Sequence, residues 1–164
     1  MVGDRRERTL RVVIADDHAP TRSDVREMLE QAGVEVVGEA FDGNGAIEVT
    51  LRERPDVCIL DVSMPHGGLE AAEAITRELP GTKVVMLTVS SSKEHVLAAV
   101  RAGASGYVLK AADPRRLPRV VRAVAAGEQA FPRRLMRQLV EELGRSSQAA
   151  PGSESPVGRP APPA

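Results

Sequence analysis

One cysteine in 164 residues, Cys58, excludes an internal disulfide, and its place inside an apolar run makes it a small buried hydrophobe of a chain suited to a reducing compartment. No apolar stretch approaches the ~20 residues of a membrane span, and the opening MVGDRRERTL has charges where a signal peptide needs its hydrophobic region. The expectation is a cytoplasmic chain with no membrane partner. Neither sign of charge dominates: 22 Lys and Arg stand against 23 Asp and Glu. The balance as a whole therefore demands no nucleic acid, membrane or acidic ligand. No internal repeat is present, and no metal-ligand spacing links His18, His66 and His95. His18 reads as a turn or helix-start residue, and none of the three is given a chemical role.

What the chain does have is 42% hydrophobic residues, enough for one well-buried core. Short apolar runs alternate with helix-period segments. Five runs read as strands: Arg11 to Ala15, Glu35 to Phe41, Val57 to Leu60, Val84 to Leu87 and Gly106 to Leu109. Between and after them, Val25, Met28, Leu29 and Ala32 share one helix face, as do Leu69, Ala72, Ile75 and Leu79, and again Leu117, Val120, Val121 and Val124. Strands uniformly apolar and alternating with helices point to an α/β fold, a parallel sheet covered by helices on both faces. A further helix is expected from Pro132 to about Leu143, with Leu135, Met136, Leu139, Val140 and Leu143 on one side. Pro118 inside the fifth helix pattern predicts a late or irregular start there. From residue 145 the chain turns rich in Pro, Ser, Gly and Ala and reads as a flexible linker or tail. The resulting division is an N-terminal tail over 1–9, a domain over 10–127, a linker helix over 128–144 and the tail over 145–164.

In an open parallel α/β sheet, ligands bind outside the carboxyl ends of the strands. The first strand runs into Asp16 and Asp17, the third into Asp61, the fourth into Thr88 and the fifth into Lys110. Any one of these has an ordinary explanation, such as a helix cap or a solvated lysine. Their joint placement at the ends of four strands does not. Three neighbouring carboxylates repel one another and call for a hard divalent cation, for which Mg²⁺ with its oxygen ligands is the natural choice. Lys110 adds a positive charge able to pair with Asp61 or with a phosphoryl oxygen, and the Thr88 hydroxyl can donate to that oxygen. The set suits phosphoryl transfer to a carboxylate.

The segments VVIADDH, VCILDVSMP, VVMLTVS and GASGYVLKAADP stand in the order and spacing of a known family: the chain resembles the receiver domain of two-component response regulators from about Arg11 to Ala126. The resemblance implies a flavodoxin-like (βα)5 fold of strand order 2-1-3-4-5, in which Asp61 accepts a phosphoryl group from a sensor histidine kinase. It further implies that Asp17, Asp61 and the Ser63 carbonyl hold Mg²⁺ with Asp16 near the metal through water, and that Thr88 and Lys110 bind the phosphoryl oxygens. Tyr107 matches the family's switch aromatic, whose ring turns inward as the threonine moves toward the phosphoryl group. The loop after Pro65 is one residue shorter than the family's usual pattern, and Ala111 replaces a proline common in relatives, so a cis bond after Lys110 is not expected.

The ending VRAVAAGEQAFPRRLMRQLVEEL resembles the LuxR/NarL-type branch, in which a linker helix leads to a helix-turn-helix DNA-binding domain. That resemblance implies transcription regulation, with DNA reached only through an output domain that this chain does not carry, and homodimerisation on phosphorylation. The alternatives are a stand-alone receiver acting by protein contacts and an aspartyl-phosphate phosphatase of the haloacid-dehalogenase-like kind. The second needs an aspartate two residues after the nucleophile, where Ser63 stands. The chain is thus expected to be a signalling module that phosphorylates itself and dephosphorylates slowly, not an enzyme that turns over external substrate. Val89 after Thr88 crowds the attacking water, and Ser63 and Ser90 offer no acid or amide to orient it.

Overall fold

A computed structural model describes residues 8–149. Five strands form one parallel sheet: β1 (Arg11–Ala15), β2 (Glu35–Ala40), β3 (Val57–Asp61), β4 (Lys83–Thr88) and β5 (Gly106–Leu109). Their order is β2-β1-β3-β4-β5. The helices are α1 (Ala19–Gln31), α2 (Gly43–Glu53), α3 (Gly68–Glu78), α4 (Lys93–Arg101), α5 (Arg116–Ala125) and α6 (Arg133–Ala149).

Uniformly apolar strands bury side chains on both sheet faces because helices cover both. Val12, Ile14, Ile59, Val85 and Val108 face α1 and α5, meeting Val25, Leu29, Leu117, Val121 and Val124. Val13, Cys58, Leu60, Met86 and Tyr107 face the other way, onto α2, α3 and α4. Cys58 is fully buried, and burial pushes its thiol up to about 12, so it behaves as the hydrophobe its position predicts.

The helix starts are set by local polar groups. His18 caps α1 through its ring, accepting from the Thr21 amide with Pro20 in the first turn, which is the helix-start role read for it. Asp42 caps α2 and Ser92 caps α4. Helix α5 begins at Arg116, two residues before Pro118, so the proline ring sits in the first turn where its missing amide costs nothing. Among the described residues no peptide bond is cis.

After α5 the chain returns along the free edge of β5: the Tyr107 amide donates to the Ala130 carbonyl, and Ala130 donates to Ser105. This pairing shields the edge strand and aims α6 across α4. Leu135 and Leu139 of α6 are buried there, and Lys93 of α4 pairs with Glu142 at 2.8 Å. Val140 and Leu143, expected on the same apolar side, are 65% and 57% exposed. The helix also runs through Gly144 to Ala149, past the boundary expected at 144, since a single glycine weakens a helix without ending it and no proline stands between Arg133 and Ala149. The remainder of the expected tail, 150–164, and residues 1–7 lie outside the described residues.

Candidate functional site

The carboxyl ends of β1, β3, β4 and β5 meet at one edge of the sheet. Register sets this convergence: Asp61 pairs with Leu87, one residue before Thr88, and Thr88 pairs with Leu109, one residue before Lys110. The Lys110 amide then donates to the Thr88 carbonyl at 2.7 Å, which carries the lysine over the strand ends.

Asp16 is fixed first. Its Oδ1 accepts from the His18 amide at 2.9 Å, and its carbonyl accepts from Arg22 at 2.7 Å. That leaves Oδ2 facing the Lys110 ammonium at 3.0 Å. Oδ2 is a buried oxygen whose polar neighbour is this ammonium and which has no other partner among the described residues. Lys110 lies also 3.3 Å from Asp61 Oδ2. Asp61 Oδ1 accepts from the Ser63 amide at 3.2 Å and from the Ser63 hydroxyl at 3.1 Å. Carboxylate oxygens of Asp16, Asp17 and Asp61 lie within 4.8 Å of one another, with Asp17 exposed and the other two buried.

Two of the three carboxylates, Asp16 and Asp61, therefore share one ammonium, and Asp17 adds a third negative charge beside them. Burial pushes Asp16 above the usual carboxylate range, against the lowering effect of the His18 amide and Lys110, with the Asp61 charge adding to the rise. Burial alone would lower Lys110, but Asp16 and Asp61 outweigh it and hold the ammonium above its ordinary value. An all-oxygen cluster with a buried, unbonded Asp16 oxygen and an exposed Asp17 fits a hard cation reached from solvent. The Ser63 carbonyl accepts no hydrogen bond among the described residues and is free to join that set.

The loop after Asp61 turns tightly to keep the site compact. Met64 is buried, the Gly43 amide donates to the Pro65 carbonyl at 2.9 Å, and His66 and Gly67 both take positive φ, 59° and 67°. Helix α3 then starts at Gly68 directly against Asp61; a Cβ on Gly68 would lie 2.1 Å from the Asp61 carbonyl oxygen. This is the path the chain takes from Asp61 to α3.

Thr88 is 3% exposed, and its Oγ1 accepts from the Ser90 amide at 3.1 Å; its hydroxyl makes no bond to Asp61 or Lys110. Tyr107 is 2% exposed with its ring inward, and its hydroxyl donates to the Ser90 carbonyl at 2.7 Å. Burial pushes the phenol up, and the nearby Thr88 hydroxyl, able to donate to a phenolate, offsets part of that rise. All the residues read from the sequence thus gather at this edge, Tyr107 joining Thr88 through Ser90. The side-chain bond of Ser63 to Asp61 and the clamp of Arg22 on Asp16 were not legible in the sequence, since nothing in a one-dimensional pattern says which hydroxyl or guanidinium reaches back.

Comparison with known proteins sets this geometry in a family. Residues 12–122 match the response regulator receiver domain. The uncharacterized transcriptional regulatory protein YxjL of Bacillus subtilis is 38% identical over 147 residues, 88% of this chain and 67% of that protein. The nitrate/nitrite response regulator protein NarP of Escherichia coli is 41% identical over 132 residues, 79% of this chain and 61% of that protein. Among solved structures, a two-component response regulator of the LuxR family from Aurantimonas sp. is 32% identical with a TM-score of 0.77, covering 82% of this chain and 98% of that one. The isolated REC domain of RcsB from Salmonella enterica serovar Typhimurium, solved in the presence of phosphomimetic BeF3−, is 30% identical with a TM-score of 0.71, covering 79% and 98%. The chain spans about two thirds of the length of the curated relatives it matches.

Proposed function

The chain belongs to the response regulator receiver domain family, and from that premise we propose that Asp61 is its phosphoacceptor, served by a sensor histidine kinase. The observation that carries the proposal is the Lys110 ammonium, 3.0 Å from Asp16 and 3.3 Å from Asp61, inside a cluster of three carboxylates at the strand ends. Asp61 is thereby held at the carboxyl edge of the sheet, with Ser63 on one oxygen and Lys110 beside the other.

In the proposed reaction an Asp61 oxygen attacks the phosphorus of a phosphohistidine. The new O–P bond forms as the P–N bond breaks, and the departing imidazole nitrogen takes a proton from solvent. The product is an acyl phosphate on Asp61. Asp17, Asp61 and the Ser63 carbonyl, with Asp16 beside them, would hold Mg²⁺, which would supply positive charge next to the phosphoryl oxygens. Lys110 pairs with one of those oxygens, and the Thr88 hydroxyl leaves the Ser90 amide to donate to another. A groove of about 440 Å³ runs past Lys110 between α1 and the start of α5, lined by Thr21, Asp24, Met28, Pro114 and Leu117, and gives a donor protein a place to lie.

Ser63 stands where a phosphatase would need its acid, so the reaction stops at the acyl phosphate, and slow loss of that group resets the protein. Val89 stands directly after Thr88, and we infer that its bulk slows the approach of water to the acyl phosphate. The relatives bear names of transcriptional and nitrate/nitrite regulators, and the output we propose for a protein carrying this receiver is transcription control in the cytoplasm, with homodimerisation following phosphorylation. No helix among the described residues is long and apolar enough to cross a membrane.

Intact mass after treatment with acetyl phosphate and Mg²⁺ tests the site. One added phosphoryl group, lost in Asp61→Asn and absent under chelator, is expected. Labelling that survives Asp61→Asn would overturn the assignment.

A further inference from the structure

His95 is exposed in the first turn of α4 and takes no part in the chemistry proposed above. Its ring Nδ1 nevertheless lies 2.5 Å from the Ser90 hydroxyl oxygen, a side-chain bond that leaves the helix and reaches back two residues before the Ser92 cap. The Ser92 amide donates to the same Ser90 oxygen at 3.2 Å, and the Ser92 hydroxyl accepts from the His95 amide at 3.3 Å. The loop between β4 and α4 is thereby tied to the helix start at both ends. Ser90 itself is the hub: its amide holds Thr88 Oγ1 at 3.1 Å, and its carbonyl holds the Tyr107 hydroxyl at 2.7 Å. Three elements, β4, β5 and α4, meet on one serine.

We propose that His95 is a positioning residue which, through the Ser90 hydroxyl, fixes this loop so that Tyr107 stays inward before any phosphoryl group arrives. The physical case is one of constraint. A loop serine with a solvated hydroxyl has a carbonyl that wanders with the loop, and a phenol bonded to a wandering carbonyl gains little over one bonded to water. Anchoring the hydroxyl to His95 restricts the peptide units on both sides of Ser90, so the carbonyl is held where the Tyr107 hydroxyl needs it. Tyr107 is accordingly 2% exposed. The consequence is a receiver whose aromatic is set in advance and whose response falls mainly on Thr88, which must release the Ser90 amide. The clasp stands on geometry alone; only its effect on phosphorylation rests on the reading of Asp61 as phosphoacceptor.

The chain's one tyrosine and lack of tryptophan make the test direct, because its intrinsic fluorescence is that of Tyr107. In the full chain, acrylamide should quench the wild-type signal weakly and the His95→Ala signal several-fold more strongly. Ser90→Ala, which also removes the acceptor of the Ser92 amide, should be quenched at least as strongly as His95→Ala, and the double variant should be no worse than Ser90→Ala, since the His95 bond is already lost in each. His95→Asn, which places an amide near the Nδ1 position, should restore protection. Beryllium fluoride with Mg²⁺ should alter the wild-type tyrosine signal little but that of His95→Ala clearly, and should bind the alanine variant about two- to tenfold more weakly, as loss of one hydrogen bond's preorganisation implies. Equal quenching in wild type and His95→Ala, additive effects of the two alanine variants, or no recovery in His95→Asn would each overturn the clasp. If quenching follows the expected pattern but no variant responds to beryllium fluoride, the clasp is supported and the phosphoacceptor reading is the one that fails.

Discussion

Lys110 balances the site's charge with a single ammonium, and the two carboxylates it touches are 1% and 3% exposed at the side chain while it is 20% exposed itself. Taking that ammonium away leaves two buried anions facing each other, which costs more than the pair contributes when intact. In metal-free buffer at pH 7, Lys110→Met should therefore destabilise the fold by about 2–4 kcal/mol, less than the full burial figure because the lysine is partly solvated. The sign with pH follows from the two shifts. Asp16 is raised in the folded state, so its contribution is favourable below the unfolded value of 3.8 and is lost as pH rises through its folded value. Lys110 is also raised, so its contribution is complete below 10.5 and lost as pH rises through its folded value. Without the ammonium, Asp16 is pushed further toward protonation, and the penalty of Lys110→Met should shrink as pH falls from 7 toward 4.5. Urea unfolding at several pH values measures it, and a penalty independent of pH would contradict the shared-charge account.

Among the elements, the strands were the most legible, since β1 and β5 coincide with the apolar runs and the other three differ by a residue at one or both ends. Burial on both faces leaves an unambiguous hydrophobic trace. The strand order came from resemblance to a family, because apolar runs carry no record of their neighbours. Helices α2 and α4 left no comparable stripe to read: α4 is only nine residues long and buries just Val96 and Ala99 deeply. The loop joining it to β4 was invisible for a different reason, since the Ser90–His95 bond depends on backbone angles that no spacing rule encodes. Helix α6 shows how far periodicity reaches. Its apolar side is continuous in sequence, yet only Leu135 and Leu139 are deeply buried, at 7% and 5% exposure, with Met136 half-buried against the same core and Val140 and Leu143 left outside. Leu139→Ala should thus cost about 2–4 kcal/mol through the cavity it opens, while Val140→Gln should stay within about 0.5 kcal/mol. Comparable losses at the two positions in denaturant melts would show that α6 packs by a different face.

At the scale of the whole molecule, the sheet gathers like charges from two separated parts of the sequence onto one edge, and the fold holds them there with one lysine in place of the dispersal that repulsion favours. Such an arrangement is less stable than it would be if the cluster were neutralised, so a cation that binds only the folded chain must stabilise it by mass action. The unfolded chain separates Asp16 and Asp17 from Asp61 by more than forty residues and offers no competing site. Mg²⁺ at about a hundred times its dissociation constant should add about 2.7 kcal/mol. For a domain of this size that corresponds to a rise in Tm of several degrees. Asp17→Asn separates this linkage from ordinary salt effects: Asp17 is exposed and makes no ion pair among the described residues, so its loss should leave the metal-free Tm nearly unchanged while abolishing the Mg²⁺-dependent rise. A Tm indifferent to Mg²⁺ in the wild-type chain, or a rise that persists undiminished in Asp17→Asn, would mean that the three carboxylates do not form a cation site.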